Sequence, residues 1–250
     1  MNVLILGGIT EARQIAQQIH QLGHQVIVSV AGLTTSKKQT ADYEIRRGGF
    51  GGVEKLANYL LKQSIDLLID ATHPYAASIS ANASKACQQH QTPIWAYRRP
   101  AWQASQKDQW LELADWESVI EKLTTFKRPL FTIGLTPLSH PDDCLPNQQW
   151  FVRVLPAAEP LPKKAQKIQI LLEKGPFTLE QEHQLFDRIK PDILISKNSG
   201  GTFVQAKLQL ASERGIPVIM LKRPSLPTLN NEFDSVAKLL EAFELTVTSL

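Results

Sequence analysis

The chain has few of the residues that would mark a redox, metal or membrane protein. Its 250 residues include two cysteines, two methionines and no apolar run near the roughly 20 residues needed to span a bilayer. Cys87 and Cys144 have neither metal-ligand nor disulfide-framework spacing, so no metal site is expected and a reducing compartment fits. The opening MNVLILGGITEAR lacks a basic leader, an apolar core and a cleavage site. The expected location is therefore cytoplasmic, without a membrane. The net charge of +3 is too small for a nucleic-acid-binding stripe but permits an anionic small molecule. Apolar content is ordinary for a globular protein, and the length suits one large domain or two small ones.

What the chain does have is one phrase stated twice, about half a chain apart. The copies are DLLIDATHPYAASISANASKACQQHQTPIWAYRRP from Asp66 and DILISKNSGGTFVQAKLQLASERGIPVIMLKRP from Asp192. Each reads as a buried strand, a polar turn, a helix, a Pro-led strand and a basic-Arg-Pro stop. The alternation of strands and helices predicts an α/β protein with two lobes, each built on a parallel sheet, and a cleft between them at the strands' C-terminal ends. The expected division is residues 1–105 and residues 106–250, with the polar stretch Ala101 to Trp110 as the crossing. Other expected strands are Val3 to Leu6, Val26 to Val30, Tyr43 to Ile45, Leu130 to Ile133, Trp150 to Val154 and Ile168 to Leu172. A final helix is expected over Glu232 to Phe243.

The first strand ends in Gly7-Gly8-Ile9-Thr10-Glu11. A glycine turn entering a helix makes an anion site, because the first helical N–H groups lack intrahelical acceptors and carry partial positive charge. Thr10 is the expected cap and Glu11 lies in the first turn. The spacing departs from G-x-G-x-x-G, since the later glycine positions hold Ile9 and Ala12, so a plain strand-to-helix turn is the competing reading.

A dinucleotide site commonly has Asp or Glu at the end of the second strand. Here that place reads Ser29-Val30-Ala31-Gly32, followed by Lys37 and Lys38 in a polar loop. Without a carboxylate to repel a 2′-phosphate, NADPH is the expected cofactor and NADH the alternative. The competing reading of the lysines is a solvated loop.

At the end of the strand in the first phrase, Thr72 and His73 lie at the exit. Pro74 suits a first helical turn, from which Tyr75 projects. The corresponding place in the second phrase is Lys197-Asn198-Ser199-Gly200-Gly201, a second anion cradle, or else a helix capped by Ser199 or Asn198. Arg98, Arg99, Lys222 and Arg223 end later strands, where they meet carboxylates or form a solvated basic edge.

Taken together, these residues resemble the precorrin-6A reductase family of cobalamin biosynthesis over nearly the whole chain. The resemblance is carried by ILGGITEAR, SVAG, RRGGFGG, DATHPYAASISANA, YRRPAW, FTIGLTPL, FVRVLPAAEPLP, GPFTLEQE and ISKNSGGTFVQAKLQLASERGIPVIMLKRP. Ile9 departs from the Thr usual in the family's GGT. This bears on a hydroxyl contact there but not on the backbone cradle.

The resemblance implies two Rossmann-like lobes, an N-terminal dinucleotide lobe and a C-terminal substrate lobe. It also implies hydride transfer from a reduced nicotinamide nucleotide to a carbon–carbon double bond of a contracted tetrapyrrole, which carries cobalt in some pathways. The expected cofactor residues are Gly7, Gly8, Ile9, Thr10, Glu11, Ser29, Ala31, Gly32, Thr72 and His73. Arg98, Arg99, Lys197, Asn198, Ser199, Gly200, Gly201 and Arg223 are expected at the substrate, and His73, Tyr75 and Lys197 as proton carriers. The expected partner is the small-molecule tetrapyrrole alone, bound by a monomer or weak homo-oligomer. A short-chain dehydrogenase is disfavoured, because no tyrosine has Lys four positions on. The reading from another class is an NADPH-binding sensor that reduces nothing.

Overall fold

In the first sheet, apolar residues occupy successive positions along the strands, so both faces are hydrophobic and both must be covered. The computed structural model describes residues 1–31, 41–156, 166–201 and 205–248. The first elements are β1 (Asn2–Leu6), α1 (Thr10–Gln21), β2 (Gln25–Val30), β3 (Glu44–Arg47), α2 (Val53–Lys62), β4 (Leu67–Asp70), α3 (Ala77–His90) and β5 (Ile94–Tyr97). Val3 and Ile5 face a core with Ile15 and Ile19 of α1, whereas Leu4 and Leu6 face Leu56 and Leu60 of α2 and Ala83 of α3. This is the period-2 alternation of a strand read against two helical layers.

The chain continues through β6 (Trp110–Leu113), α4 (Trp116–Leu123), β7 (Pro129–Thr132), α5 (Thr136–Ser139), β8 (Trp150–Val154), β9 (Ile168–Leu172), α6 (Leu179–Ile189), β10 (Ile193–Lys197), α7 (Ala206–Glu213) and β11 (Val218–Leu221). Phe131 and Val152 face α4, while Leu130 and Phe151 face α6 and α7. Thr178 and Gln181 form a reciprocal capping box that starts α6, as the TLEQ spacing predicts. The last elements are β12 (Asn231–Phe233) and α8 (Val236–Thr248).

Among the described residues these strands make two six-stranded sheets with parallel pairing throughout, in the orders β12-β5-β4-β1-β2-β3 and β6-β11-β10-β7-β8-β9. Each follows the doubly wound Rossmann order, with the reversal between β1 and β4 in one sheet and between β7 and β10 in the other. The doubled phrase supplies β4-α3-β5 and β10-α7-β11, which hold equivalent places in the two sheets.

In each sheet the sixth strand is the one that follows the other sheet's fifth strand in the chain. β6 follows β5 in the chain but pairs with β11, and β12 follows β11 but pairs with β5. The chain accordingly divides into Met1–Pro100 with Pro224–Leu250, and Ala101–Arg223. This corrects the expected boundary, which placed all of residues 106–250 in one lobe. The reason is packing: Leu239 and Phe243 of α8 are buried in the same core as α1 and β1. The expected last helix over Glu232 to Phe243 is likewise a short strand followed by a helix from Val236, and the expected crossing ends at a strand, because Trp110 begins β6.

Candidate active site

In the first unit the strands' C-terminal ends gather the opening glycine turn. The Gly7 N–H donates to the Ser29 carbonyl at 2.8 Å, stapling the exits of β1 and β2. A Cβ on Gly7 would lie 3.1 Å from Val28 Cγ1 and 3.5 Å from Ala12 Cβ, so glycine is what lets strand and helix approach this closely. Gly8 has φ +145 and is exposed, with open space beside it. The N-cap of α1 is Ile9, whose side chain makes no capping bond. This corrects the expectation of a Thr10 cap: Thr10 is the first helical residue. With no side-chain oxygen over it, the helix start presents its N–H groups as an anion cradle requires.

Glu11 does not face this cradle unaccompanied. Arg99 Nε donates to Glu11 Oε1 at 2.9 Å, and Arg99 Nη2 pairs with Glu11 Oε2. Arg99, expected at the substrate, therefore neutralises an acid that would repel a phosphate.

At the end of β2, Ser29 is buried and pairs in register with Arg46 of β3. Arg46 Nη1 donates to Ser29 Oγ at 3.2 Å and to the Gly48 carbonyl at 2.6 Å, and Nη2 donates to the Gly49 carbonyl at 2.9 Å. The guanidinium lies 3.8 Å from the centre of the Phe50 ring. No carboxylate pairs with it among the described residues. Sequence reasoning missed Arg46. Its signal was present in RRGGFGG, a cation two residues before the first of the glycines that supply its carbonyl acceptors. Ala31 is exposed beside this site, while Gly32, Lys37 and Lys38 lie outside the described residues.

Asp70, at the end of β4, is fully buried and organises the second turn. Thr72 donates to Asp70 Oδ1 from its hydroxyl at 2.7 Å and from its backbone at 3.2 Å. Arg98 Nη1 donates to Asp70 Oδ2 at 2.9 Å. Arg98 Nε and Nη2 are buried and have no hydrogen-bond partner among the described residues. Buried donors of this kind are costly unless an acceptor completes them.

The Tyr75 N–H donates to His73 Nδ1 at 3.3 Å, so a neutral His73 carries its proton on Nε2. The two rings lie 5.7 Å apart, centre to centre. Pro74 and Tyr75 form a turn and α3 begins only at Ala77, so neither belongs to the helix's first turn as expected.

In the second unit Lys197 ends β10, and burial pulls its ammonium below the usual lysine range. The Ser199 N–H donates to the Lys197 carbonyl at 2.8 Å, and Gly200 and Gly201 have φ of 66 and 78, left-handed values that favour glycine. Helix α7 starts at Ala206 with Gln205 at its N-cap, so neither Ser199 nor Asn198 caps it, and the turn is separate from the helix start. Asn198 bonds to Trp102 and to Arg223, both in this unit. The structure thus brings Lys197, Asn198, Ser199, Gly200, Gly201 and Arg223 together, and places Arg98 and Arg99 at the first sheet instead.

The model of the family described as Precorrin-6x reductase CbiJ/CobK matches residues 2–244. The chain belongs to the precorrin-6x reductase family. Among its relatives in this family, the precorrin-6A reductase of Rhodococcus erythropolis is 35% identical over 241 residues, covering 94% of each chain. The cobalt-precorrin-6A reductase of Priestia megaterium is 27% identical, covering 95% of this chain and 97% of its own. A solved structure described as CobK precorrin-6A reductase superposes with a TM-score of 0.85 at 31% identity, covering 98% of this chain and 96% of that one. The family's members are oxidoreductases of cobalamin biosynthesis, and the two-sheet α/β architecture is shared. None of the described helices is long and apolar enough to cross a membrane.

Proposed function

We propose that this protein reduces precorrin-6A, or its cobalt form, to precorrin-6B with NADPH as the preferred donor and NADH as the weaker one. The observation that carries this reading is the pairing of an uncapped glycine turn with Arg46 at the ends of β2 and β3. The residues present fit a dinucleotide. Gly7 lets β1 and α1 approach closely, Gly8 has open space beside it, and the start of α1 carries no side-chain cap, which suits a pyrophosphate. Arg46 offers a guanidinium where an NAD-selective site has an acid, which suits a 2′-phosphate. When bound, the reduced nicotinamide supplies a hydride.

The protein's own residues bind, orient and protonate. Gly7, Gly8, Ile9 and Thr10 present backbone donors, and Glu11 is held neutralised by Arg99. Ser29 and Arg46 receive the ribose end beside Ala31, and Thr72 and His73 line the neighbouring turn. Arg98, with two buried donors to fill, and the second unit's turn at Lys197, Ser199, Gly200 and Gly201 are assigned to acetate and propionate groups of the macrocycle. Three groups can carry the proton that balances hydride addition: His73 in its protonated form, Tyr75 through its hydroxyl, and Lys197, whose pKa burial lowers. The first unit is thereby the dinucleotide unit and the second the substrate unit, in a cytoplasmic monomer or weak homo-oligomer.

The test is to mix protein, NADPH and precorrin-6A without oxygen and follow nicotinamide absorbance. Loss of absorbance only when tetrapyrrole is present supports the reductase. NADPH binding without such loss overturns it in favour of a dinucleotide sensor.

A further inference from the structure

The chain enters the second unit at Ala101 and leaves it at Arg223, and Asn198 holds both places. The Trp102 N–H donates to Asn198 Oδ1 at 2.8 Å, and Asn198 Nδ2 donates to the Trp102 carbonyl at 3.1 Å. One side-chain amide thus serves both backbone groups of one residue, as a neighbouring strand would. Arg223 Nε donates to the Asn198 backbone carbonyl at 2.7 Å. Trp102 closes the arrangement from its other end, its indole Nε1 donating to the Gly201 carbonyl at 3.0 Å. These bonds join positions 25 to 99 residues apart in the chain. They bracket a turn whose two glycines are in left-handed conformations that leave the backbone little intrinsic preference.

The resemblance places Asn198 at the substrate, yet its amide oxygen and one amide hydrogen already engage Trp102. We infer that Asn198 is a positioning residue: with Trp102 and Arg223 it fixes the turn at Lys197 to Gly201 against both crossings of the chain, and so sets where that turn holds the tetrapyrrole. This role rests on the proposed reduction. The carboxylate arms of the macrocycle are flexible and reach Lys197 even from a displaced turn, whereas the carbon that accepts hydride must be placed to within about 1 Å. Loosening the turn therefore acts on kcat more than on KM.

Asn198→Asp tests this. It keeps size and the acceptor but sets an oxygen against the Trp102 carbonyl. Trp102→Phe removes the indole bond to Gly201 and part of the ring's packing, and leaves the backbone bonds to Asn198 in place. With precorrin-6A and NADPH, Asn198→Asp is expected to lower kcat about tenfold or more. KM for tetrapyrrole should stay within about threefold and the dinucleotide dissociation constant within about twofold of the wild-type values. Trp102→Phe should shift kcat in the same direction by about threefold, and it decides the matter alone if Asn198→Asp does not fold. Unchanged kcat in the folded variants overturns the role. So does a raised KM at constant kcat, which would make Asn198 a direct substrate ligand, or a lowered Tm with kcat per folded molecule unchanged. Wild-type turnover with unaltered variants sinks this role alone. Absence of wild-type turnover sinks the proposed function and this role with it.

Discussion

Arg46 and Ser29 are register partners on β3 and β2, and the arginine's Nη1 donates to the serine hydroxyl at 3.2 Å. The guanidinium is anchored by two glycine carbonyls and rests against Phe50, yet no described acid neutralises it. A cation held by neutral acceptors keeps its charge available to an incoming anion.

Ser29→Asp places a carboxylate beside Arg46 and in the path of a 2′-phosphate. NADPH affinity should fall by about tenfold to a hundredfold, the size of one lost charge-assisted contact. NADH affinity should fall much less. Fluorescence titration with both nucleotides gives the comparison, and equal losses would place the phosphate elsewhere.

Asp70→Asn removes the charge that Arg98 and Thr72 share. Breaking a buried pair by altering one partner typically costs about 3–5 kcal/mol, and Arg98 would lose its acid while two of its nitrogens already lack acceptors. The expected result is a substantially lower midpoint in urea unfolding with an unchanged m-value. A midpoint equal to the wild type would show that the pair contributes no net stability.

Lys197→Ala removes a cation from the second unit's turn while leaving the first unit's glycine turn intact. Turnover of precorrin-6A should fall about a hundredfold or more, and NADPH affinity should remain nearly unchanged. If titration shows the dinucleotide lost instead, the assignment of cofactor and substrate to the two units is wrong.

Lys207 lies in the first turn of α7, buried, near the bidentate pair in which Arg153 Nη1 and Nη2 meet Glu182 at 2.7 and 2.8 Å. Burial, with repulsion from Arg153 and despite attraction by Glu182, lowers its pKa from 10.5 to about 8. Below about pH 8 the ammonium is charged in both folded and unfolded chains, and the cost of burying it is present in full. As pH rises from about 8 toward 10.5 the folded chain sheds the proton first, so this contribution to stability increases. Lys207→Met should therefore raise stability at pH 7 by about 1–3 kcal/mol, and the gain should shrink toward alkaline pH. Thermal melts at pH 7 and 9.5 test both halves. A destabilised variant at pH 7 would mean that Lys207 is held by a partner anion.

Much of the fold is legible from residue order. VLIL, LLID and ILISK are short apolar runs closed by turn residues, and their burial on both faces makes them central parallel strands. Edge strands carry a weaker signal. In β6 the middle two of its four residues are exposed, and β12 has three residues, so neither shows a run or an alternation to read. Their exchange between the two sheets was thus invisible, although the Phe233 and Trp95 rings lie 5.3 Å apart, centre to centre, once β12 pairs with β5.

The sequence by itself determined the chemistry at the ends of the strands: two glycines with no acid after the second strand, a His-Pro-Tyr turn, and a lysine turn in the repeated phrase. These depend on side-chain type and on short spacing, which the chain order states directly. Tertiary structure alone decided which of those groups meet. Arg99 turns to Glu11, 88 residues away, and Asn198 to Trp102, 96 residues away, because the parallel crossovers bring distant strand ends to one sheet edge.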